Sequence, residues 1–124
     1  MSTYTFTIPG MPVGKERPRK GKYGFYTPAK TKAYEEQVQL FLREECPEIE
    51  PTLNICYLDI KWRKRSDGEE ELEVNLHQTD DLPPRERKRP DGDNIQKIVA
   101  DALNGIAYHD DSQIWWWSFQ REKG

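Results

Sequence analysis

The clearest hydrophobic pattern lies towards the end of the chain, between residues 95 and 106. Apolar residues recur there at positions i, i+3, i+4, i+7, i+8 and i+11: Ile95, Ile98, Val99, Ala102, Leu103 and Ile106. Such a stripe is typical of an amphipathic helix that packs one face on a core. Pro90 and Asp91 suit its start, and Asn104-Gly105 suits a left-handed cap at its end. The pattern therefore predicts a helix from about Asp91 to Asn104.

A second helix is predicted in the first half of the chain. Pro28 is suited to a helix start, with Thr27 as a candidate cap, and Pro47 closes the segment after Cys46. Between these limits lies a roughly helical apolar face: Ala33, Val38, Leu40, Phe41 and Leu42. The spacing predicts a helix that packs this face against the core.

Alternating apolar and polar residues predict β-strands elsewhere. We expect a mixed α/β (α+β) fold, a small mixed β-sheet with the two main helices packed on it. The strands of this sheet are predicted at Tyr4–Ile8, Leu53–Trp62, the segment near Ile106–Tyr108 and Ile114–Phe119. The sequence does not determine their order or direction.

Residues 63–89 give the least readable pattern. The stretch is rich in charges of both signs, and we interpret it as a charged insertion within a single domain that spans residues 1–124. Leu72, Val74 and Leu76 are spaced as one face of a short strand, whereas Ser66 to Glu69 is equally suited to capping a short helix. The pattern does not decide between the two.

Composition narrows the class of protein. With 124 residues, 35% hydrophobic and 33% charged, the chain has the size of one polar globular domain. It contains no run of about 18 apolar residues and no basic-then-apolar N-terminal signal, so we expect no membrane span, no secretion and a cytoplasmic location. Cys46 and Cys56 lack the spacing of a zinc site, and we interpret them as two reduced thiols.

The charge is unevenly distributed. The net charge is −3, yet residues 15–32 contain seven basic residues and one acid, Glu16. A local basic patch can bind phosphates whatever the total charge, although a solvated loop would have the same composition. The candidate phosphate-binding residues of this segment are Lys15, Arg17, Arg19, Lys20 and Lys22, with Tyr23, Phe25 and Tyr26 available for stacking.

Four aspartates flank the helix near the end of the chain. Asp91 and Asp93 lie at its start, where acids commonly cap a helix and suit its dipole. Asp110 and Asp111 follow its end, where a negative charge is unfavourable beside the helix dipole, so helix capping does not explain them. Converging carboxylates bind hard divalent cations, but an EF-hand is excluded because its glycine position holds Gln96. Bringing both pairs together needs a bend across the sheet or a symmetry-related subunit.

Two stretches resemble the RusA family of Holliday-junction endonucleases, which is common in phages and prophages. The first is P-D-x-D-N-x-x-K-x-x-x-D-A-L-N-G followed by D-D-x-Q, between Pro90 and Gln113. The second is GKERPRKGKYGFYTPAKTKAYEEQV, which resembles the basic loop and first helix of the family. Together they cover about half of the chain, and the combined motif is specific.

The resemblance implies a site and an activity. Asp91, Asp93 and Asp111 would be metal-binding catalytic acids, Asp110 a further candidate ligand, and Lys97 the catalytic lysine. The cofactor would be Mg²⁺, with Mn²⁺ as an alternative, and a homodimer would place paired symmetric nicks in four-way junction DNA during recombination and repair. A carboxylate-held metal ion suits this chemistry, because it activates water and neutralises charge on the phosphate.

Other functions stay open at this stage. A non-catalytic protein that binds junctions would have the same fold. Gly92, between Asp91 and Asp93, departs from the family pattern, and this departure is compatible with a loss of catalysis. It would bind junctions without Mg²⁺ and not cut them. A phosphodiesterase for small nucleotides is a weaker alternative, because it would not need a long basic segment. Trp115, Trp116 and Trp117 suit either a core and dimer surface or base stacking.

Overall fold

The computed structural model describes residues 2–14, 19–22, 24–26, 28–82 and 94–121, with only the backbone of residues 19, 25 and 26. The elements in chain order are β1 (Ser2–Pro9), β2 (Arg19–Gly21), β3 (Gly24–Tyr26), α1 (Ala29–Glu45), β4 (Cys56–Lys64), β5 (Glu70–Gln78), α2 (Asn94–Ala102), a 3-10 turn (Asp111–Gln113) and β6 (Ile114–Arg121). This arrangement confirms the predicted mixed α/β fold.

The main sheet has four strands in the order β1-β5-β4-β6. β5 pairs antiparallel with both β1 and β4, whereas β6 runs parallel to β4, so the sheet is mixed. β2 and β3 form a separate antiparallel hairpin within the basic segment. The two helices share one hydrophobic core with the main sheet.

The central position of β5 corrects the interpretation of residues 63–89 as an insertion. Its inward residues Leu72, Val74 and Leu76 are fully buried, and each lies between a residue of β1 and one of β4. Val74, for example, is paired with Phe6 on one side and Ile60 on the other. The strand alternative was therefore right, because three alternating apolar residues suffice to fill the middle of the sheet.

The segment Ile106–Tyr108 is not a strand of the main sheet, contrary to the prediction. The backbone N–H groups of Ile106 and Ala107 both donate to the carbonyl of Leu103, and Gly105 has a φ of 80°, so the chain turns here. Only isolated bridges connect Tyr108 to Thr52 and Asn104. The buried side chains of this segment fill the core from a turn rather than from a strand.

α1 begins after Pro28, which occupies the N-cap position without a side-chain cap bond, while Thr27 lies outside the described residues. The buried face is Thr31, Tyr34, Val38 and Leu42. Two residues of the predicted apolar face, Ala33 and Leu40, are exposed instead. They lie off the i, i+4, i+8 row that begins at Tyr34, because successive helical residues are about 100° apart.

α2 contacts α1, and Gln39 joins the two helices by donating from Nε2 to the carbonyl of Ala102 at 3.0 Å. The helix ends at Ala102, two residues before the predicted end at Asn104, and the turn at Gly105 follows. Its predicted start at Asp91 lies outside the described residues. Five residues of α2 are buried: Gln96, Ile98, Val99, Ala100 and Ala102.

β6 forms an edge of the main sheet and carries the three tryptophans. The pairing with β4 shifts between Cys56, which is paired with Ile114, and Tyr57, which is paired with Trp116, so Trp115 lies at this irregularity. Trp117 packs against the core beside Leu58, whereas Trp116 is 63% exposed. No helix in the described part of the chain is long and apolar enough to cross a membrane.

Candidate active site

Asp110 and Asp111 lie on the short turn that leads into β6. Asp110 is the N-cap of the 3-10 turn, and its carboxylate accepts a hydrogen bond from the backbone N–H of Ser112 at 3.3 Å. The backbone N–H of Gln113 donates to the carbonyl of Asp110 at 3.0 Å. Asp110 and Gln113 also form a capping box: the Asp110 side chain accepts from the backbone N–H of Gln113, and the Gln113 side chain accepts from the backbone N–H of Asp110. This pair of contacts fixes the backbone on both sides of Asp111.

The Gln113 side chain attaches this turn to the loop before β4. Its Oε1 accepts hydrogen bonds from the backbone N–H groups of His109 and Asp110, both at 2.9 Å. Its Nε2 donates to the carbonyls of Thr52 at 2.7 Å and Asn54 at 2.9 Å. The acidic turn is therefore joined to a second segment of the chain by one buried amide.

The two neighbouring acids differ in their surroundings. Asp110 is exposed, whereas Asp111 is only 7% exposed. Removing a carboxylate from water is costly unless hydrogen bonds, cations or a metal ion compensate for the lost hydration. Asp111 is therefore the buried acid of the pair, and Asp110 is the exposed acid that caps the turn.

Lys97 lies on α2 and is half-buried, as is Asp101 one turn later. α2 is braced against the segment that leads to the acidic turn, because the buried hydroxyl of Tyr108 donates to the carbonyl of Ala100. Within the described residues, no hydrogen bond or ion pair joins Lys97 to Asp110 or Asp111. The helix that carries Lys97 is thus joined to the segment before the acidic turn by the hydrogen bond of Tyr108.

Gly14, directly before the basic segment in the sequence, lies close to the start of α2. A β-carbon placed on Gly14 would lie 3.3 Å from the Cβ of Asn94, the first residue of the helix. Gly14 immediately precedes Lys15 in the sequence, and Asn94 immediately follows Asp93. The fold therefore brings together the chain positions that adjoin the basic segment and the first pair of acids.

The remaining predicted site residues are only partly covered by the structure. The side chains of Lys20 and Lys22 are exposed on the β2–β3 hairpin and its turn. Five predicted residues lie outside the described side chains: Asp91, Asp93, Lys15, Arg17 and Arg19. Whether the first pair of acids approaches Asp111 stays a prediction.

The chemistry of the described acids fits a hard divalent cation. Mg²⁺ prefers oxygen ligands and is commonly held by one or two carboxylates, with water completing its coordination. Among residues 2–14, 19–22, 24–26, 28–82 and 94–121, no group of three or more histidine, cysteine, aspartate and glutamate side chains forms a metal site. Asp91 and Asp93 lie outside this range, so their part in a Mg²⁺ site stays a prediction.

The fold and this acidic turn define an α/β protein with a mixed four-stranded sheet and a sheltered carboxylate at the start of an edge strand. The family described as "Endodeoxyribonuclease RusA" matches residues 9–124, nearly the whole chain. The chain belongs to this family, which supports a nuclease activity on DNA. It is also similar to "Uncharacterized protein YqaN" of Bacillus subtilis (strain 168), with 33% identity over 119 residues, 92% of this chain and 83% of the relative.

Two residues of the site had no role assigned from the sequence. Gln113 stands in the D-D-x-Q motif, but the spacing of a glutamine does not show what its amide binds. Gly14 opens the stretch that resembles the basic loop, and a glycine there is equally suited to an ordinary turn. Their contacts depend on distant segments, at Thr52 and at Asn94, which no local pattern identifies.

Proposed function

We propose that the protein is a Mg²⁺-dependent endonuclease that resolves four-way DNA junctions as a homodimer. Membership of the RusA family over residues 9–124 carries this proposal, because the matched range contains the basic segment, both pairs of acids and Lys97. Asp111 is buried on a turn that hydrogen bonds hold in place. This supports a role in which its carboxylate must be precisely positioned.

The acids would hold the metal ion. Asp91, Asp93 and Asp111 are the candidate ligands, and Asp110 is a further candidate whose carboxylate also caps the turn. When bound, Mg²⁺ would supply an activated water and charge neutralisation at the phosphate. Lys97 would stabilise negative charge that develops on the phosphate or on the leaving oxygen.

The basic segment would bind the DNA backbone. Lys20 and Lys22 are exposed, and together with Lys15, Arg17 and Arg19 they would contact phosphates. Such contacts position a protein on DNA but carry no sequence information, so recognition would depend on the shape of the junction. The contact of Gly14 with Asn94 supports a single surface for DNA binding and cleavage.

A homodimer suits the proposed reaction. Resolution of a junction requires one nick in each of two strands that are related by a two-fold axis. A dimer with two-fold symmetry supplies two equivalent sites for these nicks. The molar mass of the protein in solution and bound to a junction, measured by light scattering, tests this part of the proposal.

The cleavage activity is tested on a synthetic four-way junction and on a linear duplex of the same sequence, with and without Mg²⁺. The wild type is compared with Asp93→Asn and Asp111→Asn. Paired nicks near the crossover that require the metal and both acids would support the nuclease. Tight junction binding without cutting under every condition would instead identify a non-catalytic junction-binding protein, and cleavage of small nucleotide diesters alone would identify a phosphodiesterase.

A further inference from the structure

The amide of Gln113 is buried and all of its principal hydrogen-bonding groups are used. The side chain is 7% exposed, its carbonyl oxygen accepts two backbone N–H groups, and its amino group donates to two backbone carbonyls. An amide offers two donors and an acceptor with two lone pairs, so these four bonds satisfy it completely. Few alternative orientations of the side chain would preserve them.

These bonds fix the turn that carries Asp111. Two of them bind the backbone N–H groups of His109 and Asp110, directly before Asp111, and Gln113 itself lies two residues after it. The other two anchor the turn to Thr52 and Asn54, on the approach to β4. The backbone of Asp111 is therefore held from both sides by one side chain.

We propose that Gln113 is the positioning residue of Asp111, and that it holds this carboxylate in the orientation needed to bind a divalent cation. This inference rests on the proposed function, in which Asp111 is a metal ligand. Residues that orient a metal ligand typically change metal affinity by roughly 10- to 100-fold when they are replaced. Gln113 acts through Asp111 and does not itself need to touch the metal or the DNA.

Glutamate is the most informative replacement for Gln113. Gln113→Glu conserves the size of the side chain and leaves an oxygen to accept from His109 and Asp110. It removes both donors and places a carboxylate opposite the carbonyls of Thr52 and Asn54, which repel it. The anchor between the turn and the loop is lost, while no side chain of the hydrophobic core is replaced.

Gln78 offers a matched control. Its Nε2 also donates to two backbone carbonyls, those of Glu50 at 2.9 Å and Ala107 at 2.8 Å. Gln78→Glu therefore removes the same kind of donor pair from a neighbouring loop, but not from the turn that carries Asp111. A general loss of stability should affect both variants, whereas a loss of positioning should affect only Gln113→Glu.

The experiment measures Mn²⁺ affinity by electron paramagnetic resonance and backbone amide exchange of residues 109–113 in the full-length protein. The wild type, Gln113→Glu, Gln78→Glu and Asp111→Asn are compared, together with their midpoints of urea unfolding. Gln113→Glu should weaken Mn²⁺ binding at least 10-fold and speed up exchange in the turn, and Gln78→Glu should do neither. Excess Mn²⁺ should partly restore cleavage of a junction by Gln113→Glu.

The outcomes separate this inference from the proposed function. If Asp111→Asn weakens Mn²⁺ binding and Gln113→Glu does not, the positioning role is wrong and the nuclease proposal stands. If Asp111→Asn leaves Mn²⁺ binding unchanged, the metal site is misplaced and both fail. Should Gln113→Glu not fold, Gln113→Asn, which keeps both amide groups on a shorter side chain, is measured in its place with the same criteria.

Discussion

Gly14 lies so close to Asn94 that a β-carbon on the glycine would come within 3.3 Å of the Cβ of Asn94. Most β-carbons in proteins have more space, so a β-carbon at position 14 would require a shift of a few tenths of an ångström, and a larger side chain would require more. Gly14 leads into the basic residues and Asn94 into α2. Gly14 and Asn94 therefore lie side by side at the chain positions that adjoin Lys15 and Asp93.

Enlarging Gly14 should weaken DNA binding. We expect Gly14→Ala to have a small effect and Gly14→Val to raise the Kd for a four-way junction by roughly 10-fold, which corresponds to about 1.4 kcal/mol. The reason is that the larger side chain would push the chain at position 14, directly before Lys15, away from Asn94. Fluorescence anisotropy without Mg²⁺ measures the Kd, and Mn²⁺ affinity should stay unchanged.

The control for this prediction is a double-mutant cycle with Asn94→Gly, which removes the β-carbon that the new side chain would meet. If the contact is responsible, the double variant should bind DNA more tightly than the sum of the single effects predicts. Equal binding by Gly14→Val and the wild type would show that the contact does not position the basic segment.

Asp110 and Asp111 should differ sharply when each is replaced by asparagine. We expect Asp111→Asn to reduce Mg²⁺-dependent cleavage at least 100-fold, because a metal ligand loses its charge. Asp110→Asn should stay within a few-fold of the wild type, because asparagine caps a turn about as well as aspartate. Asp110→Ala should instead lower the free energy of unfolding by about 1 kcal/mol.

Single-turnover cleavage rates and urea unfolding together check this pair. A loss of cleavage in Asp110→Asn as large as that in Asp111→Asn, with unchanged stability, would make Asp110 a metal ligand as well as a cap. The prediction is also contradicted if Asp111→Asn cleaves normally.

Helices and strands whose apolar residues recur at a regular spacing could be predicted from the sequence alone. The stripe from Ile95 to Leu103 predicted α2, and the alternation of Tyr4 to Ile8 predicted β1, because each pattern reflects one buried face. Leu72, Val74 and Leu76 carried the same signal for β5. Numerous charged neighbours obscured it, since those residues point away from the core on the half-exposed face of a central strand.

Contacts between distant segments could not be predicted in this way. The turn at Gly105 was identified from Asn104-Gly105, but the burial of Ala107 and Tyr108 without a strand depends on how the turn packs. The acids and Lys97 were recognised through the family motif. The capping role of Asp110 and the anchoring by Gln113 require knowledge that residues 52–54 lie beside the turn.

Two buried tyrosines should respond differently to loss of their hydroxyl groups. The hydroxyl of Tyr108 donates to the carbonyl of Ala100, so Tyr108→Phe should lower the free energy of unfolding by about 1 kcal/mol. The hydroxyl of Tyr34 is buried without a hydrogen-bond partner among the described residues. Tyr34→Phe should therefore have no destabilising effect, and a small gain is consistent with relief from desolvation.

Urea unfolding of both variants checks this prediction, with the slope against urea concentration confirming that the unfolded states are comparable. Each variant serves as the control for the other, because the same atom is removed from a buried tyrosine. Equal destabilisation by the two substitutions would show that the contact between Tyr108 and α2 contributes nothing specific.

The two cysteine thiols should make the protein less stable at alkaline pH. Burial raises the pKa of Cys56 from an ordinary value of 9.0 to about 12. Burial, and then the nearby carboxylates of Glu48 and Glu45, also raise the pKa of Cys46. The unfolded thiols ionise first, so the stabilisation is complete below pH 9 and is lost as the pH rises, for Cys56 between about 9 and 12. The free energy of unfolding in urea, measured from pH 8 to 11, should fall.

Cys56→Ala isolates the contribution of one thiol to this pH dependence. The substitution lowers stability at every pH because it leaves a small cavity, but it removes one group whose ionisation favours unfolding. Its free energy of unfolding should therefore fall less steeply above pH 9 than that of the wild type, by on the order of 1 kcal/mol per pH unit at most. Parallel curves for the two proteins would mean that Cys56 ionises as readily in the folded protein as in the unfolded chain.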